Sequence, residues 1–429
     1  MQGKALPGFR DFYPEDLSLR NHIFATWRNV AGRYGFEEYD GPPLESLELY
    51  TQKSGEEIVQ QLYTFRDKGD REVALRPEMT PTLARMVAAH AQALKKPIRW
   101  FSIPQLFRYE RQQRGRLKEH FQLNMDIIGE GGPLADAELI AASIDVMRAF
   151  GFGPNDFKAR ISDRRVLRAL LLGHDVREDM LAQAFGMLDK TGSRRDEEWE
   201  TWQLGGGYTH SGQTTRPIHA RSLRGIEAAS ELLKPLPGGA QAIEPLRETV
   251  AALGSMGLGE FVEVDLTIVR GLAYYTGIVF ELFDTQNKLR AIAGGGRYDG
   301  LLKAAGGPDL PALGFGMGDV VLGELLKERG GAPKASIELG AFLIAVGGDD
   351  LPVVLQLAHA LRERGIAVEY GLRNAAVRKQ LELAAARGAA RAVIVGPEER
   401  AEGLAVVRDL RTSTEAKVPI RQLLNGYFD

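Results

Sequence analysis

The segment HFQLNMDII, His120 to Ile128, alternates strictly: Phe121, Leu123, Met125 and Ile127 fall on one side of an extended chain, His120, Gln122, Asn124 and Asp126 on the other. A strand with one apolar face is predicted. Its second face is a ladder of four different polar side chains, which is poor core material. On the preceding run, Phe107 and Tyr109 alternate with Arg108 and Glu110, and QQRGR lies between the two runs. The pair therefore predicts an antiparallel hairpin with Arg111, Arg114, Arg116 and Lys118 around its tip.

Elsewhere the period is helical. Ile23, Phe24, Trp27, Val30 and Ala31 predict a helix over Leu17–Tyr34 that stops at Gly35. It leads into a short strand in FEEYDGPPLES, ended by Pro42 and Pro43. Two strands joined by a turn at Asp67–Asp70 follow, then helices over Thr80–Ala93 and Leu134–Phe150. The span 164–257 reads as mostly helical, broken by LGGGYTHSGQTTRP, to which no chemistry is assigned. From EFVEVDL onward strand alternation returns, and GGAPKAS, 330–336, reads as a linker. Beyond it GAFLIAVG, GIAVEYG and RAVIVG alternate with helices at Leu351–Arg364 and Ala375–Arg387, the pattern of a separate α/β domain with a mostly parallel sheet. The expected organisation is 1–163 and 258–329 as two parts of one domain, 164–257 as a helical insertion, and 338–429 as a further domain.

Composition narrows the chemistry. The 429 residues include no cysteine, which excludes disulfides and thiolate zinc sites, and the seven histidines include no HxxxH pair. No dedicated metal site is expected, and any metal arrives with a substrate. No apolar run approaches the roughly 18 residues of a membrane span, and MQGKALPGFRDFYPEDL has no signal-like apolar core, so a cytoplasmic protein is expected. The net charge of −3 does not mark a general nucleic-acid binder. From Glu338 onward 12 Lys and Arg balance 12 Asp and Glu, so any contact with nucleic acid there needs a local patch.

Guanidinium groups clustered above a polar sheet suit a polyphosphate, since they bind phosphate oxygens bidentately and stabilise charge developing at phosphorus. The pattern alone fits a solvated edge hairpin equally well. In LRPEMTPT, Arg76, Glu78 and Thr80 cluster between a strand and a helix, where a carboxylate can hold an ammonium group; Thr80 equally suits a helix cap ahead of Pro81. In TIVRGLAYYTGIVFE, Arg270 ends an apolar strand beside Gly271, Tyr274 and Tyr275. Neither AGGGRYDG nor GFGMGD has dinucleotide-binding spacing. Gly294–Gly296 permit close backbone approach to a small ligand, whereas Gly314, Gly316 and Gly318 read as packing glycines.

Taken in order, these segments resemble the histidyl-tRNA synthetases, a family of class II aminoacyl-tRNA synthetases. The helix and strand ending at Pro42 are similar to motif 1, FRYERQQRGRLKEHFQ to motif 2, VRGLAYYTGIVFE to the histidine-specific signature, and GGGRYDGL to a further family block. The resemblance implies an α+β class II catalytic domain, an antiparallel sheet with flanking helices, interrupted by the helical insertion and followed by an α/β anticodon-binding domain. It implies a homodimer built through motif 1. It also implies that Arg108 holds the ATP α-phosphate and the amino-acid carboxylate, Glu110 the adenine edge, and Arg116 the terminal phosphates. Glu78 and Thr80 would bind the α-amino group with Gln122 nearby, Asp126 and Tyr275 the imidazole nitrogens, and Tyr274 would line the pocket. Arg270 would stabilise the pentacoordinate phosphorus, and Mg2+ would accompany ATP.

The chain departs from the family at three places. Val320 and Val321 stand where an ATP-clamping arginine is usual, Ala273 where an aspartate follows Arg-Gly-Leu, and His120 where an aromatic often stacks on adenine. This variant set resembles plant organellar and some bacterial members. The implied activity is ATP-dependent activation of L-histidine and transfer to the 3' end of tRNA(His). The alternative is a catalytically silent paralogue serving as histidine-sensing regulatory subunit of ATP phosphoribosyltransferase. The missing arginine favours it; Arg108, Glu110, Arg116, Arg270 and the added C-terminal domain oppose it.

Overall fold

In the computed structural model a nine-stranded sheet carries the first of two compact units, Met1–Tyr13 with Leu17–Pro333, the second being Lys334–Asp429 with Pro14–Asp16. The structure describes residues 3–51, 59–110, 115–173, 176–181, 183–185, 201–202, 218–219, 223–269, 275–286, 290–304, 306–331 and 339–428. The segment LGGGYTHSGQTTRP and most of the linker GGAPKAS lie outside them.

Numbering only the strands of the large sheet, β1 is Glu37–Glu38, β2 Ile98–Ser102, β3 Gln105–Phe107, β4 Glu119–Ile128 and β5 Phe157–Asp163. They are followed by β6 Val262–Val264, β7 Ile278–Asp284, β8 Ala293–Arg297 and β9 Ala312–Gly318. The order across the sheet is β1-β2-β4-β9-β8-β7-β5-β6, with β3 also paired to β4. Only the two outermost pairs, β1–β2 and β6–β5, are parallel.

The expected alternation of β4 sets the two faces. Leu123, Met125 and Ile127 are buried with Phe101, Ile161, Phe280, Phe315 and Met317 in the main core. Helices α1 (Pro14–Arg33), α2 (Thr80–His90), α3 (Pro133–Ala149), α4 (Arg164–Gly173), α5 (Gly239–Ser255) and α6 (Asp319–Glu328) follow in chain order. All but α2 contribute to that core. α1 starts with a proline whose fixed φ suits a first turn and with Glu15 and Asp16 near its positive end; it stops where Gly35 takes φ +72°. Its stripe Leu19, Ile23, Trp27 and Val30 is fully packed, each such side chain contributing about 1.5–3 kcal/mol of burial. α2 instead packs Leu83 and Val87 on the opposite face of the sheet, with Ile98, Ile128, Tyr275, Val279 and Tyr298.

Local differences from expectation have local causes. The strand after α1 has two residues and ends well before Pro42 and Pro43, after which Leu44–Ser46 joins a separate three-stranded sheet with Tyr63–Arg66 and Glu72–Leu75. β3 ends at Phe107, three residues before the expected alternation does, although Arg108 still donates its backbone N–H to Lys118 O at 2.8 Å. In the second unit the strands Val368–Tyr370, Ala341–Ala345 and Arg391–Val395 are parallel neighbours, as expected. Leu404–Asp409 and Glu415–Pro419 extend the sheet antiparallel, so it is mixed rather than mostly parallel.

One buried ion pair ties the sheet to its helices. Arg297, at the end of β8, donates to Asp136 in the first turn of α3 at 2.6 and 3.2 Å and to the carbonyls of Glu130 and Gly132 at 3.0 and 3.3 Å. The two side chains are only 3% and 4% exposed. Arg297→Met is expected to destabilise the first unit by about 3–5 kcal/mol, because a buried carboxylate is left unpaired. Adding Asp136→Leu is expected to recover most of that loss, and urea unfolding of the two variants checks both statements.

Candidate active site

The face of β4 opposite the main core presents Gln122, Asn124 and Asp126 in a row, and the register of the sheet decides what surrounds them. Across β9, Asp126 stands opposite Gly314, Asn124 opposite Gly316 and Gln122 opposite Gly318. Across β8, Gly296 and Gly294 stand opposite Gly314 and Gly316. Partners in register share a face, so five glycines pave one side of the polar row. A Cβ on Gly314 would lie 2.0 Å from Asp126 Oδ1, and one on Gly316 would lie 2.6 Å from Gln122 Nε2. The glycines expected to serve packing thus shape the polar face. On the other side β2 places Trp100 opposite Asp126 and Ser102 opposite Asn124.

Asp126 is the deepest charge of the row. Its carboxylate accepts a short hydrogen bond from the hydroxyl of Tyr298, itself buried. Burial pushes the Asp126 carboxyl up to about 7, and the Tyr298 hydrogen bond pulls it back only in part. Tyr39 is next to this group; burial, with Asp126 adding to it, holds its hydroxyl well above the usual phenol range. Tyr275 is buried over Gly296, whose Cβ would come within 3.0 Å of its ring, and its carbonyl accepts from the Arg164 guanidinium at 2.9 Å. Asp126 and Tyr275 therefore both belong to the glycine-paved face. Tyr298, Tyr39 and Arg164 had no assigned part; only the GGGRYDGL block pointed at Tyr298, and the sheet register reveals its target.

The loop before α2 is stitched to the basic hairpin. Phe107 donates its backbone N–H to Arg76 O at 3.0 Å, and Arg108 Nε donates to Pro77 O at 2.9 Å. Arg108 is thereby held to the backbone one residue before Glu78, whose side chain is buried. Thr80 is the first residue of α2; Met79 takes the cap position without a side-chain cap bond, so Thr80 is not spent as a cap. Arg76 is committed elsewhere, to Asp40 at 2.8 Å and to the carbonyls of Gly41 and Gln105 at 2.6 and 3.0 Å.

At the opposite end of β4 the charge reverses. Burial first, and then Arg108, Arg10 and Arg116, push the His120 imidazole down to about 3, so it is neutral at physiological pH. Arg116 and Glu110, expected to face phosphate and adenine separately, form an ion pair with each other. Arg111, Arg114, Arg270 and Tyr274 lie outside the described residues. Among the described residues no group of three or more His, Asp or Glu can hold a metal ion.

Comparison with known proteins settles the family. Residues 8–318 match the model described as histidyl-tRNA synthetase, and residues 341–426 match an anticodon binding domain. The chain belongs to the histidyl-tRNA synthetase family. It is 45% identical to a histidine–tRNA ligase of Opitutus terrae, with 98% of this chain and 97% of the relative covered. A chloroplastic/mitochondrial histidine–tRNA ligase of Arabidopsis thaliana is 39% identical over 97% of this chain and 85% of its own. A solved histidyl-tRNA synthetase of a Nostoc species shares the fold with a TM-score of 0.76, at 22% identity over 99% and 98% of the two chains. The family fold is therefore the class II catalytic sheet with its helices and an α/β anticodon-binding domain.

The raised Asp126 carboxyl gives a signed expectation. Between its ordinary value of 3.8 and about 7 the unfolded chain has released this proton and the folded chain has not. Stability from this group is present at low pH and is lost as pH rises through that window. Asp126→Asn removes the effect, so its stability relative to the parent is expected to climb from pH 4 to 7 by up to a few kcal/mol and then level off. Urea unfolding at a series of pH values reads this directly.

Proposed function

We propose that this chain is a histidine–tRNA ligase, which activates L-histidine with ATP and transfers it to the 3' end of tRNA(His). The observation that carries the site reading is Asp126, a buried carboxylate at the end of a polar row on glycine-paved strands. A carboxylate there accepts an N–H from a flat ring lying on backbone, and Tyr275 stands over Gly296 to meet the ring's other nitrogen. Rejection of isosteres follows because a ring lacking either group leaves a buried partner unsatisfied.

In this reading Glu78 and Thr80, with Gln122 nearby, hold the ammonium group, and Arg108 holds the carboxylate and the α-phosphate. The carboxylate oxygen attacks the α-phosphorus in line; the new O–P bond forms as the bond to pyrophosphate breaks. Charge grows on the equatorial oxygens, and Arg108 and Arg270 stabilise it. Glu110, Arg116 and His120 serve the adenine and the outer phosphates, which requires the Arg116–Glu110 pair to open or to act as a unit. A hydroxyl of the terminal adenosine of tRNA then attacks the activated carbonyl and AMP leaves. Tyr274 lines the pocket. Magnesium enters with ATP, since the carboxylates on and around the hairpin arm, Glu110, Glu119 and Asp319, are engaged by arginines.

The anticodon-binding unit supplies the second tRNA contact, and a homodimer through α1 and β1 is part of the proposal, as are a helical insertion over 164–257 and a cytoplasmic location. No helix among the described residues is long and apolar enough to cross a membrane. The missing arginine is the feature on the side of the regulatory alternative; against it, relatives at 36–45% identity are named ligases.

ATP–pyrophosphate exchange tests the proposal: exchange with histidine alone among the amino acids is expected, and none with any amino acid would sink it. Asp126→Ala is expected to raise the KM for histidine by about 100-fold or more with little change in the KM for ATP. Arg270→Ala is expected to abolish exchange while histidine binding, followed by calorimetry, stays near normal; substantial exchange would remove Arg270 from the chemistry.

A further inference from the structure

The segment ahead of α1, which enters the site above only through the charge of Arg10 near His120, grips the arm of the basic hairpin that leads into β4. Gly8, at φ +90°, accepts the backbone N–H groups of Lys118 and Glu119 at 3.0 and 3.4 Å. A Cβ there would lie 2.6 Å from Lys118 Cγ. Two residues on, Arg10 spreads its guanidinium over two carboxylates. Nε donates to Glu119 Oε1 at 2.7 Å, and Nη1 donates to Asp319 Oδ2 at 2.9 Å.

Both acceptors are buried, with side chains 2% and 4% exposed, whereas a quarter of Arg10 reaches solvent. Asp319 opens α6 and also accepts the backbone N–H of Phe121 at 2.8 Å; Glu119 takes a further bond from Gln105 at 3.0 Å. Gly115, on the same arm, sits against the first turn of α6, where a Cβ would lie 3.3 Å from Val321 Cγ2. The arm from Gly115 to His120, which carries Arg116, is thus held between the N-terminal segment and the start of α6.

We propose that Arg10 is a positioning residue for the nucleotide end of the site, pinning this arm to α6 and cancelling the charge of Glu119 and Asp319. The inference rests on the assignment of Arg108, Arg116 and His120 to ATP. Its fork is already spread over two carboxylates, so it acts through them rather than on a phosphate. Without it, two buried negative charges would repel each other and any polyphosphate brought to Arg116, in a setting where water screens them weakly. The α6 N-terminus favours Asp319 but leaves Glu119 on β4 unanswered. Arg10 thereby serves the end of α6 at which Val320 and Val321 provide no cation.

The test compares the full-length parent with Arg10→Met and Arg10→Lys by histidine-dependent exchange, and reads ATP affinity separately by calorimetry. Arg10→Met is expected to raise the KM and Kd for ATP about tenfold or more, with the KM for histidine held within about twofold. Arg10→Lys should recover part of the loss, since it restores charge without the fork. A merely structural role would move both KM values together, and that result, or equal ATP affinity in parent and Arg10→Met, overturns the proposal. The triple variant Arg10→Met, Glu119→Gln, Asp319→Asn removes the buried charges with their partner and guards against misfolding of the single variant. Its ATP affinity is expected within about threefold of the parent; a persisting tenfold defect contradicts the charge-cancelling role. A parent that binds ATP but exchanges no pyrophosphate sinks the adenylation reading alone, because the calorimetric comparison still decides the part played by Arg10.

Discussion

The site depends on one steric fact: the strand opposite Asp126 must have no side chain where the Asp126 carboxylate lies. Gly314 is in register with Asp126, and the missing Cβ would stand 2.0 Å from its Oδ1. The carboxylate occupies that volume and accepts the Tyr298 hydroxyl. A diagonal version recurs two residues along β9, where Gly316, in register with Asn124, makes room for Gln122. Cross-strand glycines weaken a sheet, and this one tolerates them because its other face is filled by Leu123, Met125, Phe315 and Met317. The packing that stabilises the sheet and the space left open by the glycines are on opposite sides of the same strands.

This division explains which features could be read from the chain alone. Period-two alternation in β4 and the helical stripe of α1 are local signals, and the structure reproduces both. The polar row Gln122, Asn124 and Asp126 was therefore legible, because successive side chains alternate faces whatever the strand pairs with. The partners of that row were not. Nothing near Asp126 in sequence announces Tyr298, 172 positions away, and nothing near Gly314 says that its lack of a Cβ is for Asp126. Nor does periodicity announce the bond from Arg108 to Pro77 O, which joins segments 31 positions apart. Motif resemblance misses the pairing of Arg116 with Glu110, because a catalogue of ligand contacts does not include the contact the two residues make with each other.

The two ends of β4 differ in charge, and this follows from the same strand. Asp126 lies six residues from His120, roughly 20 Å along an extended chain. One end holds a carboxyl raised by burial; the other holds a neutral imidazole among Arg108, Arg10 and Arg116. Burial strengthens both fields, since little water intervenes. A ligand with a ring N–H at one end and phosphates at the other is favoured in one direction only, and reversal sets phosphate against Asp126. A slip of one residue in register would send Gln122, Asn124 and Asp126 into the main core and Leu123, Met125 and Ile127 to the ligand face. Burial of those apolar side chains therefore fixes both the fold and the direction in which the polar row runs from His120 to Asp126.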